Sequence, residues 1–243
     1  MSACPEWYMD EVQSYKIGDW EIELAFRDGV APASPYSLLL ADNIPDLEGQ
    51  TAVDVGTGSG LLAIVASLRG AKRVYLLETY DKALALALEN AKRNGVDGKL
   101  AVLRTGDSML PLPEGEAVDV IISNPAQLPL PERDRENSPF YAGPDGRAMI
   151  DALINEAPGK LSAAGRVLMA HNSMANLSES LRLLKSVGLE ARVVAERSLA
   201  LRPFVDRDWL DTLGGVSEGL YSVRDGVPYE SIYVLEARRP GER

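Results

Sequence analysis

The stretch that most constrains this chain runs from Thr51 to Gly60, Thr-Ala-Val-Asp-Val-Gly-Thr-Gly-Ser-Gly. A short β-branched segment breaks into three glycines at alternate positions and then into an apolar run, residues 61–69, closed by Gly70. β-Branched residues favour a strand, glycine supplies turns that a Cβ would block, and a compact apolar run ended by glycine reads as a buried helix. A strand, glycine turn and helix in that order open a doubly wound α/β sheet, whose ligands sit at the C-terminal ends of the strands. Two phosphate-binding loops are excluded. The dinucleotide fingerprint needs a third glycine where Leu61 stands, and a Walker loop needs a lysine that is absent.

The rest of the chain extends that unit. Further strands are expected at 73–78, 100–103, 118–123 and 166–170, and further helices at 81–93, 147–157 and 177–187. The apolar runs lack strict alternation, as in strands covered on both faces, so the fold class is α/β with a parallel sheet. Two last strands, 191–199 and 231–237, come without a helix between them and should pair antiparallel at one edge. Ahead of the core, residues 12–30 read as a hairpin turning at Gly18-Asp19, and Ser34-Pro35 opens a helix through Leu40. The segment 111–144 is proline-rich and should be mostly loop, while 201–228, with Phe204, Trp209, Leu213 and Tyr221, could form a partial lid.

Composition narrows the chemistry. Lys and Arg number 25 against 36 Asp and Glu, a formal charge of −11 that repels phosphate backbones and speaks against a nucleic-acid partner. The single cysteine, Cys4, forbids a disulfide within the chain; with a single histidine, His171, no Cys/His zinc cluster can form, and no metal is expected. Residues 1–10 are polar and acidic, and no apolar run approaches the ~20 residues of a membrane span. A cytoplasmic protein without a membrane partner is the expectation.

A second carboxylate, Glu78, follows Gly56 by about 20 residues, the separation at which an acid can take both hydroxyls of a ribose. Asp54 to Gly60, Glu78, Gly106-Asp107 and Asn124-Pro125 together resemble class I S-adenosylmethionine-dependent methyltransferases, over about residues 30–200. Glu89-Asn90-Ala91 and Asn94-Gly95 are also typical of that family. The resemblance implies a Rossmann-like seven-stranded sheet in the order 3-2-1-4-5-7-6, its last strand antiparallel. Residues 1–45 would be an extension packed on the catalytic domain, 46–243. The implied cofactor is S-adenosyl-L-methionine. Asp54 and the loop residues Gly56, Thr57, Gly58 and Gly60 would lie along its methionine part. Glu78, with Thr79 beside it, would take the ribose. Asp107, flanked by Gly106 and Ser108, would take the adenine amino group. Tyr36 would contact the carboxylate or shield the methyl.

Ser123-Asn124-Pro125-Ala126-Gln127 resembles the Asn-Pro-Pro-Tyr/Phe motif of amino-methyltransferases, among them adenine-N6 enzymes and enzymes that methylate a glutamine of peptide release factors. In that family the Asn oxygen and a backbone carbonyl accept hydrogen bonds from the target nitrogen, while the aromatic ring stacks on it. Here Ala126 replaces the second proline, and Gln127 removes a stacking platform worth ~1–3 kcal/mol. Asn124, Pro125 and Gln127 are the candidate acceptor residues. Tyr141, in a Tyr-Ala-Gly-Pro-Asp-Gly-Arg stretch shared with that subfamily, could close over the acceptor. His171, ending a strand, could take a proton. The reading favoured by these features is methyl transfer to nitrogen of a small molecule or amino acid. The alternatives are cyclisation of the cofactor to azetidine-2-carboxylate with release of methylthioadenosine, methylation of a protein glutamine or a ribosomal substrate, and a module that binds the cofactor without catalysis. The hairpin and residues 201–228 could pair across a homodimer.

Overall fold

Gly18-Asp19 turns the chain back on itself, so that β1 (Val12–Ile17) and β2 (Trp20–Ala25) form a two-stranded antiparallel hairpin. Ile22 and Leu24 alternate inward from β2 and are buried. α1 (Pro35–Asp42) follows, with Ser34 as its N-cap accepting from the Ser37 amide at 3.2 Å and proline at the first position. The computed structural model describes residues 12–103, 109–113, 115–137, 141–203 and 205–241. Cys4 lies outside them.

The chain then winds through β3 (Thr51–Val55), α2 (Leu61–Leu68), β4 (Arg73–Leu77), α3 (Asp81–Arg93), β5 (Leu100–Leu103), β6 (Val118–Ser123), α4 (Ala148–Glu156), β7 (Leu161–Asn172), α5 (Leu177–Ser186), β8 (Glu190–Ala200), α6 (Arg207–Thr212), β9 (Ser222–Arg224) and β10 (Val227–Arg238). The main sheet runs β5-β4-β3-β6-β7-β10-β8, with β9 paired to β10. Pairs among β3, β4, β5, β6 and β7 are parallel, and β10 is antiparallel to both β7 and β8. That is the expected order, 3-2-1-4-5-7-6. One local expectation fails: a short helix, α6, and a short strand, β9, lie between the last long strands. Within the mostly irregular proline-rich segment, residues 132–137 form a 3-10 turn.

Successive strand residues feed two cores. Ala52, Val74, Leu76, Val120, Ile122, Leu168 and Ala170 pack on the face covered by α1, α2 and the hairpin. Val53, Val55, Leu77, Ile121, Val167 and Met169 pack on the face covered by α4 and α5. α2 is apolar all round because both its sides are covered, and all but one of its residues are buried. Ile17, Ile22, Leu24, Tyr36, Leu39, Leu40 and Ile44, ahead of β3, pack into the first of these cores. The excursion after β8 is closed at its base by Leu201 N–H donating to Pro228 O at 2.8 Å. Its Val205, Leu210 and Tyr221 rest on Leu128, Leu130 and Met174, just past the Asn-Pro segment. No helix among the described residues is long and apolar enough to cross a membrane.

Candidate active site

The C-terminal ends of β3, β4, β6 and β7 meet at one edge of the sheet. At β3, the amides of Gly56 and Thr57 both donate to Leu77 O, at 2.8 and 3.1 Å, which pins the glycine loop to the end of β4. Gly60 starts α2 with φ +89, and a Cβ there would stand 3.0 Å from Ala87 Cα, so this glycine lets α2 and α3 close together. Gly56, φ +74, is different: nothing lies within 4 Å of where its Cβ would be. That face of the loop is an open cradle.

Asp54 is fully buried under the loop. Its Oδ2 accepts from Thr57 Oγ1 at 2.6 Å and from the Ala63 amide at 3.2 Å, while Oδ1 is buried without a partner. Burial pushes its pKa up to about 7. Glu78, past the end of β4, accepts from three backbone amides: Gly58 at 3.0 Å, Thr79 at 2.8 Å and Tyr80 at 3.0 Å. One carboxylate thus holds the loop and the start of α3 together. Each carboxylate oxygen has two lone pairs and Oε2 uses one of them here, so acceptor capacity remains for hydroxyls. Gly106, Asp107 and Ser108 lie outside the described residues.

At the end of β6, the Asn124 Nδ2 donates to Ser37 Oγ at 2.8 Å and to Ser34 Oγ at 3.3 Å. Both serines belong to the first turn of α1 and its cap, so the side-chain amide has a fixed orientation with Oδ1 turned away from the helix. Pro125 is buried. Gln127, at the position of the related motif's stacking ring, is buried too and is spent on bracing. Its Nε2 lies 3.2 Å from both Pro125 O and Ala170 O and 3.4 Å from Asn124 Oδ1, and its Oε1 accepts from Asn172 N at 2.7 Å. Gly146 backs the same loop; a Cβ there would sit 2.8 Å from Gln127 O.

The remaining candidates stand further off. Tyr141 pairs by one backbone bridge with Leu128, and its hydroxyl donates to Glu132. The Tyr36 hydroxyl donates to Glu230, and the Arg202 guanidinium lies 5.2 Å over its ring and donates to its oxygen at 3.2 Å. Burial and Glu230 raise the Tyr36 pKa. Its hydroxyl thus ties α1 to the start of β10. His171 falls on the α4/α5 face of β7. It is fully buried, with Nε2 2.8 Å from Ser180 Oγ and Nδ1 2.6 Å from Asn172 O, and burial lowers its pKa to about 4. Both ring nitrogens are engaged, so the geometry leaves neither to receive a proton from an acceptor. Among the described residues, no group of His, Cys, Asp and Glu side chains could hold a metal ion.

Ser37 is the residue that sequence reading missed. Three positions after Ser34, it reads as an ordinary first-turn residue, and only the tertiary fold brings it to Asn124.

Residues 2–132 match the family described as Ribosomal protein L11 methyltransferase (PrmA). The chain is 30% identical over 178 residues to a putative protein N5-glutamine methyltransferase of Methanocaldococcus jannaschii, covering 72% of this chain and 88% of that one. It is 34% identical over 157 residues to the ribosomal protein L11 methyltransferase of Vibrio cholerae, covering 63% of this chain and 50% of that protein. The chain therefore spans about half the length of such L11 methyltransferases. Among solved structures, the 16S rRNA N2 G1207 methyltransferase of T. thermophilus, in complex with AdoMet and guanosine, superposes with a TM-score of 0.60 at 20% identity. The match covers 94% of this chain and 50% of that one, and it shows the fold.

Proposed function

The chain belongs to the ribosomal protein L11 methyltransferase family and is an S-adenosylmethionine-dependent methyltransferase, and from that premise we propose that it methylates a side-chain nitrogen of a protein, with a glutamine amide as the preferred acceptor. The observation that carries this reading is Asn124, whose amide is held by two serines with its oxygen turned from them, at the edge that also carries the glycine cradle.

The residues fit the cofactor. The open face beside Gly56, the unpartnered Oδ1 of Asp54 and the spare lone pair of Glu78 are what a ligand bearing an ammonium group and ribose hydroxyls needs. When bound, it supplies a sulfonium-activated methyl group. Everything else is positioning. Asn124 Oδ1 accepts an N–H of the acceptor and aims the nitrogen, which must lie in line with the methyl carbon at about 3–3.5 Å. Gln127 contributes no ring for stacking; it stiffens the loop by tying Pro125 O to Ala170 O and Asn172 N. Transfer of the methyl group leaves the nitrogen with one proton too many; this proton is released to solvent, since both ring nitrogens of the buried His171 are engaged.

A small-molecule acceptor and cofactor cyclisation, both open from sequence, find no support in the relatives, which are named as methyltransferases of proteins. The test is incubation of the purified protein with methyl-labelled cofactor and, separately, ribosomal protein L11 and a peptide release factor, followed by peptide mass mapping. Label on one side-chain nitrogen is expected. Label on a free amine only, or methylthioadenosine formed from cofactor alone, overturns the proposal.

A further inference from the structure

α3 carries a polar residue in its apolar stripe. Ala83, Leu86, Ala87 and Ala91 are the buried face of the helix, and Asn90, fully buried, sits among them. Both N–H donors and the oxygen of its amide are engaged. Oδ1 accepts from Ala25 N at 2.7 Å, and Nδ2 donates to Ala25 O at 3.2 Å and to Ser59 O at 2.9 Å. One turn later Asn94 repeats half of this arrangement: Oδ1 accepts from Glu23 N at 3.1 Å and Nδ2 donates to Glu23 O at 2.7 Å. Two side-chain amides on a helix thus stand in for a neighbouring strand along β2, each offering the donor and acceptor that a sheet partner would offer. The third contacts differ: Asn94 Nδ2 donates back into its own helix, to Asn90 O at 2.8 Å, whereas the third contact of Asn90 is the glycine loop.

We propose that Asn90 is a positioning residue for the cofactor: it fixes the Ser59 carbonyl, and with it the curvature of the loop from Gly56 to Gly60, and so couples the N-terminal hairpin to cofactor affinity. The physical reason is the cost of a buried unpaired carbonyl. Without the Nδ2 donor, Ser59 O must find water or rotate, and the loop that rotates is the cradle itself. Asn94 makes the same kind of contact with β2 but does not reach the loop, which makes it the matched control.

Two measurements test this with S-adenosylhomocysteine as the probe. In calorimetry, Asn90→Ala should raise its Kd about tenfold, whereas Asn94→Ala should change it less than about twofold while also lowering Tm. Equal effects of the two variants on Kd, or none from Asn90→Ala, overturn the proposal. The second measurement needs no variant, in case Asn90→Ala does not fold. Linkage is reciprocal, so saturating S-adenosylhomocysteine should slow hydrogen exchange of the Ala25 amide in the intact protein several-fold. An unchanged Ala25 amide overturns the coupling.

Discussion

The Nδ2 of Asn124 lies 2.8 Å from the hydroxyl oxygen of Ser37, a residue of the helix that precedes the first strand of the sheet. An asparagine amide presents opposite hydrogen-bonding characters at its two ends, so a partner at one end decides what the other end offers. With its donor end taken by Ser37 and Ser34, Asn124 offers an acceptor.

Ser37→Ala should therefore act on turnover rather than on binding. With only the 3.3 Å contact to Ser34 left, the amide can flip, and kcat for methyl incorporation into the acceptor protein should fall about tenfold with KM unchanged, the loss of one well-placed hydrogen bond. Ser37→Thr keeps a hydroxyl and should restore most of the rate. A change confined to KM would show that Ser37 acts through the acceptor site and not through Asn124.

Glu78→Ala removes the acceptor shared by the amides of Gly58, Thr79 and Tyr80. Three backbone donors lose their partner, and the ligand loses a carboxylate. S-adenosylhomocysteine affinity should fall about 10- to 100-fold in calorimetry, about 1.4–2.7 kcal/mol. Glu78→Gln, which keeps one oxygen, should fall between. An unchanged affinity would remove Glu78 from the cofactor site.

The positions of the core strands and helices were legible because they declare themselves locally, through apolar runs and glycine stops, whereas their order in the sheet was implied by the family resemblance. The cradle was legible too: Asp54, the glycines and Glu78 all sit within one strand-helix-strand unit. The bracing was not. Gln127 and Ala170, Tyr36 and Arg202, and Asn124 and Ser37 are far apart in sequence, and no spacing rule reports such contacts. His171 shows the same limit from the other side. Its position at a strand end is readable, but which face its ring takes depends on the alternation of β7, which places Ala170 with one core and Met169 with the other. The helix α6 was hidden because its few residues lie among charges and glycines, without an apolar periodicity.

Two of the loop glycines, Gly60 and Gly56, should separate by substitution. Gly60→Ala drives a Cβ to within 3.0 Å of Ala87 Cα at a φ of +89, so strain and overpacking add, and denaturation should show a loss of about 2–4 kcal/mol. Gly56→Ala meets no atom within 4 Å and should cost about 1 kcal/mol, from its φ alone, yet its methyl enters the open cradle. Its expected signature is a small drop in Tm with a large loss of S-adenosylhomocysteine binding. The reverse ranking would place the ligand elsewhere.

Two buried groups should pull the stability-pH curve in opposite directions. Asp54 is raised from 3.8 to about 7, so its contribution is fully present below pH 3.8 and is lost as pH rises to about 7. His171 is lowered from 6.5 to about 4; its contribution is present above pH 6.5 and is lost as pH falls to about 4. Between those limits the slopes have opposite signs, each at most about 1.4 kcal/mol per pH unit, and in the intact protein they offset. Asp54→Asn removes one slope, so Tm measured from pH 4 to 6.5 should rise with pH more steeply than in the parent. His171→Gln removes the other, and Tm should fall with pH across the same window. The pH profile of methyl transfer near neutrality should keep its shape in His171→Gln, because the ring nitrogens face Ser180 and a backbone carbonyl. A profile that loses an ionisation near pH 6 in this variant would return His171 to the chemistry.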